Sequence, residues 1–290
     1  MITVLESIFP TLQDFREFAP GVSSDIEMKE LNSSAISAKK RIMNVITKDI
    51  WASVTEQGSS DAYSHLRMAM ANLTMHQHLI FDIISKRVSG GGEVYKSELE
   101  KMLHSYIDNY YNAMDSLLQE LETSEDFKEA WLQTPGYADI SELKISTAAL
   151  FDSFYAIDTS YLFFFRTIHI QKEVLDDVIG SYFERIKEVE RPELERKLLR
   201  ALAQFVVSIA VIRFDIIELP ATIRSLFDEQ KSSRSGLDEH SRMKELSADL
   251  HKSALNILQG VDLILNQPES GSIDTETSFN KPDDKIFLLS

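Results

Sequence analysis

The chain has 290 residues, 43% of them hydrophobic, with 10 glycines, 7 prolines and no cysteine; this supplies one large core or two ordinary ones, favours long helices over a turn-rich β-sandwich, and removes disulfides, thiolate nucleophiles and cysteine-type zinc sites. Thirty Lys and Arg against 46 Asp and Glu give a formal charge of −16, so no sequence-specific nucleic-acid binding is expected, although a passive lumen that DNA slides past is compatible with such a surface. No basic-then-apolar leader opens the chain, and its most apolar run, from Ala201 to Ile212, is about twelve residues against the roughly 20 of a membrane span, so neither a signal peptide nor a membrane partner is expected.

Leu12, Phe15 and Phe18 recur at helical spacing and predict a short opening helix, ended by Pro20-Gly21. Ser24 with Glu27 forms a capping-box pattern, in which each side chain satisfies the other residue's free backbone N–H. A helical region to about residue 57 follows, with Ile42, Ile46 and Ile50 on one stripe. Gly58-Ser59-Ser60 reads as a turn, and Asp61 caps a helix to about residue 87. After the break at Ser89-Gly90-Gly91-Gly92, a long helix is predicted over 93–122, with Leu99, Leu103, Tyr106, Tyr110, Met114 and Leu117 on one face. Residues 123–145 form a connector with a short helix from about Phe127 to Leu132 and a turn at Pro135-Gly136.

The second half repeats the order. Phe151 and Phe154 echo Phe15 and Phe18 at an offset of 136, and Ile170, Val174 and Val178 echo Ile42, Ile46 and Ile50 at 128. Pro192 opens a helix to about residue 218, where its missing N–H costs nothing. Within that helix Leu199-Arg200 and Phe214-Asp215-Ile216 match Leu66-Arg67 and Phe81-Asp82-Ile83 without a gap, at an offset of 133. Repeats of long period organise a fold, and an ungapped match argues against two amphipathic helices resembling each other by chance. Pro220 starts another short helix, residues 231–236 form a polar loop, and the last helix, about 237–266, sets Val261-Asp262-Leu263 against Met114-Asp115-Ser116 at an offset of 147. The fold class is therefore all-α with two tandem, internally duplicated helical modules: 1–122 and 146–267, joined by the connector 123–145 and followed by a polar tail, 268–290, with an apolar end.

No catalytic, cofactor-binding or metal-binding residue emerges. His76 and His78 lie two apart, so on a helix they point about 200° away from each other and cannot chelate one ion; one packed and one exposed histidine is the expectation. Glu100 and His104 can share a face, but a di-iron bundle needs two Glu-x-x-His motifs and the chain has none. Asp176-Asp177 lacks a third carboxylate one turn on to hold Mg²⁺, since position 180 is Gly180. Ser89-Gly90-Gly91-Gly92-Glu93 has the glycines of a phosphate loop without its Gly-Lys-Ser/Thr. Arg67 with Asp82, and Arg200 with Asp215, lie 15 residues apart, roughly 22 Å along a helix, so each needs another partner. Tyr161, Phe163, Phe164 and Phe165 sit in a stretch apolar all round, which requires burial between modules or between chains. The end of the tail, Ile286, Phe287, Leu288 and Leu289, wants an apolar partner: a neighbouring subunit or its own domain.

The segments Leu12-Gln13-Asp14-Phe15-Arg16-Glu17-Phe18, Ile42 to Trp51, Leu66-Arg67 with Ala69-Met70-Ala71-Asn72-Leu73, the glycine break, the long helix, the repeated order and the end at Lys285-Ile286-Phe287 together resemble a family of uncharacterised phage and prophage proteins of Bacteroidetes that look like head–tail connector (adaptor) proteins. The resemblance covers nearly the whole chain through diffuse helical patterns. It implies a virion structural protein of the neck, assembled in the bacterial cytoplasm as a homo-oligomeric ring and contacting portal or tail components. Ring assembly uses heterologous interfaces, with complementary surfaces on two sides of each subunit. The alternative is a non-enzymatic cytoplasmic helical scaffold or binding module. An all-α enzyme would instead need carboxylates or histidines brought together by folding.

Overall fold

The computed structural model describes residues 3–23, 26–88, 96–187, 191–228 and 236–266. All regular structure among them is helical, and the fold is all-α.

The first half opens with α1 (Leu12–Phe18). Thr11 caps it by accepting from the Asp14 N–H at 3.1 Å, while the Asp14 carboxylate accepts from the Thr11 N–H at 2.9 Å. This reciprocal pair satisfies donors that a helix start otherwise leaves free. The capping box read at Ser24 lies outside the described residues. The helical region read as continuous to residue 57 is in fact two helices, α2 (Asn32–Ile46) and α3 (Lys48–Glu56). Thr47 divides them with φ at +70°, an uncommon conformation for a β-branched residue. Its N–H still bonds the Met43 carbonyl and its own carbonyl accepts from Trp51, so the bend costs no backbone hydrogen bond at either. This kink is what turns Ile50, Trp51 and Val54 into the same core as Ile42 and Ile46.

Next come α4 (Asp61–Val88) and α5 (Lys96–Thr123). His76 of α4 meets the Leu103 carbonyl of α5 at 3.3 Å, and Asn72 accepts from Asn109 at 3.3 Å, so the two helices run antiparallel. The turn of α4 from Ala69 to His76 is buried all round, because α2 and α5 cover it from both sides. The first core also takes Phe127 and Trp131 from α6 (Glu125–Leu132).

The chain then passes through α7 (Pro135–Ala138) and a 3₁₀ turn at Asp139–Glu142. Two short helices follow, each started by a hydroxyl. Thr147 accepts from the Leu150 N–H at the head of α8 (Ala148–Asp152), and Ser160 from the Phe163 N–H at the head of α9 (Tyr161–Arg166). α10 (Ile168–Val174) leads through a π turn, Leu175–Ile179, into α11 (Gly180–Lys187). A π turn carries one residue more than an α turn. It therefore rotates the predicted stripe: Ile170 and Val174 are buried as expected, but Val178 is 37% exposed and Ile179 is fully buried in its place. Gly180 closes the turn, and a Cβ there would collide with the Leu175 carbonyl.

Pro192 does stand at the start of α12 (Pro192–Arg213). The helix stops five residues earlier than its pattern implies, because Phe214 turns extended to bury its ring. A 3₁₀ turn (Ile216–Glu218) and α13 (Ala221–Asp228) lead to α14 (Gly236–Leu265). Phe205 meets His251 at 5.1 Å between ring centroids, and Ser247 donates to the Ser208 carbonyl at 2.8 Å, so α14 returns antiparallel along α12. The second core gathers on this pair, with α10 on its far side.

Gln171 on α10 is fully buried, and neither polar atom of its amide meets a hydrogen-bond partner among the described residues. Replacing such a group by an apolar one of similar shape removes a desolvation cost of roughly 1–3 kcal/mol. Gln171→Met is therefore expected to raise the urea midpoint at unchanged slope. A fall in the midpoint would mean that a bound water or another polar group holds the amide.

Candidate functional site

Two places combine chemistry with position: the seam between the cores and a groove beyond it. At the seam, Asp115 of α5 accepts from the Ser160 hydroxyl at 3.0 Å and the Leu162 N–H at 2.8 Å, capping α9 from the other half of the chain. Leu162 accordingly packs into the first core, while Phe163 and Phe164 pack into the second. Tyr161 and Phe165 touch both. Phe165 stacks on Trp131 at 5.1 Å, and Gly136 permits this, since a Cβ there would lie 2.6 Å from the ring. The four aromatic residues singled out by sequence are thus brought together, inside one chain.

Beside them Glu218 accepts from Arg41 of α2 and from Arg166 at 3.1 Å, and its carboxylate also receives the Asp215 N–H at 3.3 Å. Burial opposes the Glu218 charge, but the Arg166 hydrogen bond and the two guanidinium charges outweigh it, and the carboxyl is held below its ordinary range. Arg224 of α13 donates to Asp108 of α5 at 2.5 Å. Against the aromatic residues of the seam lies a cavity of about 20 Å³, lined by Glu122, Tyr137, Thr147 and Phe164 among others. That holds one water and no substrate. What these contacts do is join the two cores.

Asp115 behaves differently from Glu218. Burial pushes its carboxyl up to about 6, and the Leu162 and Ser160 hydrogen bonds offset this only in part. With the folded value above the ordinary 3.8, the native state binds the extra proton. Its contribution to stability is fully present below pH 3.8, and is lost as the pH rises through about 6. Asp115→Asn keeps an acceptor for the α9 cap and removes the titration. The variant is expected to lose this decline between pH 4 and 6 in urea melts; an unchanged profile would assign the decline elsewhere.

The groove lies on the outer face of α12 and α14. Ile209, Ile212 and Leu255 give its apolar surface, with Ile212 47% and Leu255 40% exposed. Lys244, Lys252 and Arg213 stand around them, and its volume is about 630 Å³. Arg213 is held by Glu173 through two contacts of 2.6 Å. None of the ten lining residues is acidic, in a chain of charge −16. Sequence reading missed this surface; its signal is the i, i+4, i+8 and i+11 spacing of Lys244, Ala248, Lys252 and Leu255 on one helix face.

The remaining sequence candidates stay apart. His76 is buried and pushed down by that burial, while His78 is half-buried and not fully exposed. Asp176 and Asp177 are exposed. Arg67 lies over the rings of Phe9, Phe18 and Tyr63 instead of meeting a carboxylate four turns away. Arg200 is exposed. The side chains of Asp82 and Glu100, the glycine loop at 89–93, and Ile286, Phe287, Leu288 and Leu289 lie outside the described residues. Among the described residues no three His, Asp or Glu side chains converge as metal ligands, and no helix is long and apolar enough to cross a membrane. No protein-family model, curated protein or solved structure matches the chain.

Proposed function

We propose that the chain is a structural subunit without a catalytic role, built from a duplicated helical unit, and that it acts as a head–tail connector (adaptor) ring component in the neck of a phage or prophage particle. The groove carries the reading. An apolar, cation-bordered surface on the outside of a finished core is what a heterologous contact requires on one side of each subunit. Ile80 and Phe81, 45% and 64% exposed near the end of α4, offer an apolar surface in the other half of the chain.

Parallel burial supports the duplication. Phe15 and Phe151 are both buried, and Phe18 and Phe154 are both half-buried. Ala62 and Leu66 correspond in burial to Leu194 and Leu198 at an offset of 132; at the sequence match's own offset of 133 burial differs, Phe81 being 64% exposed and Phe214 9%. Met114 corresponds to Val261, and the half-buried Asp115 and Asp262 both accept from residues of other helices. Thr47 and Leu175 stand at the same offset as the stripes before them, and both interrupt the helix there. The connector, portal and tail partners rest on the sequence resemblance.

Light scattering at several protein concentrations, with negative-stain images of the same sample, tests the reading. Annular particles of many subunits are expected, at the latest when the groove is opened as described below. A species of 33.0 kDa at every concentration, including after the groove is opened as described below, sinks the ring. The scaffold reading, in which the groove takes an acidic amphipathic helix of another protein, would then stand in its place.

A further inference from the structure

The groove of α12 and α14 needs an occupant that is apolar at its centre and acidic at its edge. Such a segment lies in the same chain: Asp283-Asp284-Lys285-Ile286-Phe287-Leu288-Leu289. We propose that in the free subunit residues 283–289 dock in cis into this groove, covering Ile209, Ile212 and Leu255 with Ile286 to Leu289 and setting Asp283 and Asp284 against Lys244 and Lys252. Release of the segment then exposes the surface used for assembly; only this last step rests on the subunit reading above.

Reach, charge and chemistry each support the docking. Leu255 lies ten residues before the end of α14 at Leu265, roughly 15 Å along the helix, and Lys244 lies roughly 32 Å away. The segment joining Asn266 to Asp283 runs from Gln267 to Pro282 and is largely polar. For sixteen such residues the r.m.s. span is roughly 20–24 Å. That falls within the distances to be bridged, the condition under which a tethered group has its highest effective concentration, in the millimolar range. A second copy would have to compete against that concentration. Residues 267–290 carry five acidic and two basic side chains, a net −3, opposite in sign to a groove lined by Arg213, Lys244 and Lys252 and by no carboxylate. Four consecutive apolar residues, Ile286 to Leu289, also gain roughly 25 cal/mol for every Å² of apolar surface they bury.

The absence of cysteine from the chain makes a clean test possible. In the full-length protein, Leu255→Cys combined with Phe287→Cys is treated with a short bismaleimide, with each single variant as control. A cross-link within one chain is expected, located by peptide mapping, at a rate independent of protein concentration. Dimers or ladders would show exchange between copies and overturn docking in cis, as would the absence of any cross-link. A second full-length variant, Phe287→Asp, changes no described residue of either core. Amine labelling of Lys244 and Lys252 is expected to quicken severalfold in it; unchanged rates overturn the proposal. Neither readout depends on assembly. If the latch is found and Phe287→Asp stays monomeric by light scattering, the ring reading fails while the docking stands; annular particles without a cross-link give the reverse.

Discussion

Trp131→Ala is expected to lower the stability of the chain by roughly 3–5 kcal/mol, the usual range for emptying a buried aromatic site. Trp131 is 2% exposed, stacks on Phe165 across the seam and meets the Tyr137 ring edge-on at 6.1 Å. It also lines the cavity of about 20 Å³, so the space vacated by the indole merges with one already present and the walls lose contacts on two sides. The effect should exceed a simple loss of stability. Trp131 belongs to the first core and Phe165 touches both, so its removal weakens the contact through which one core reports on the other. Calorimetry is expected to resolve two transitions in the variant where the parent gives one. Trp131→Phe, which keeps a ring against Phe165, should lie between. A single transition, displaced by less than 1 kcal/mol-equivalent in stability, would mean that the halves are joined elsewhere.

Much of this arrangement was legible in the chain. Helical spacing, few glycines and Pro192 sufficed for the helix class and for the start of α12. The interruptions were not, because each is a tertiary choice. Nothing local at Thr47 announces a positive φ; the bend exists because Ile50 and Trp51 bury beyond it. Gly180 was visible as a glycine within a helix, yet its reason lies in the Leu175 carbonyl that a π turn brings against it. Phe214 ends α12 by leaving the helical path for the second core, against a period that continues to run through it. In the aromatic stretch at 161–165 the residues from Leu162 to Phe164 are buried and Tyr161 and Phe165 are half-buried, and only the fold shows that successive residues go to different cores. The groove was hidden for another reason. Lys244 and Lys252 look like ordinary solvated charges until Ile209 and Ile212 are set beside them by the antiparallel return of α14.

The Glu218 network was the least legible of all, since Arg41 lies 177 residues away in the chain. It carries the second large effect. Glu218→Gln keeps the shape of the side chain and removes the charge on which two guanidinium groups converge. Breaking a buried ion pair by deleting one partner costs about 3–5 kcal/mol, and both arginine side chains here retain about a third of their exposure, so roughly 2–4 kcal/mol is expected. Arg41→Met alone should cost less, because Arg166 still neutralises the carboxylate; the cycle with Glu218→Gln isolates the coupling. The pH dependence has a definite sign. The folded-state value of Glu218 is depressed below its ordinary 4.5, so its contribution is present above that pH and is lost as the pH falls through the lower folded value. Asp115 acts in the opposite direction, losing its contribution as the pH rises from 3.8 to about 6. The two windows overlap: stability in the parent should fall toward acid as Glu218 takes up its proton, and fall above pH 3.8 as Asp115 loses its contribution. Glu218→Gln should remove the acid limb and leave the decline above it, and Asp115→Asn should do the reverse. Urea melts of the two variants from pH 3 to 7 would separate them, and an acid limb that survives in Glu218→Gln would deny the carboxylate its place at the centre of the seam.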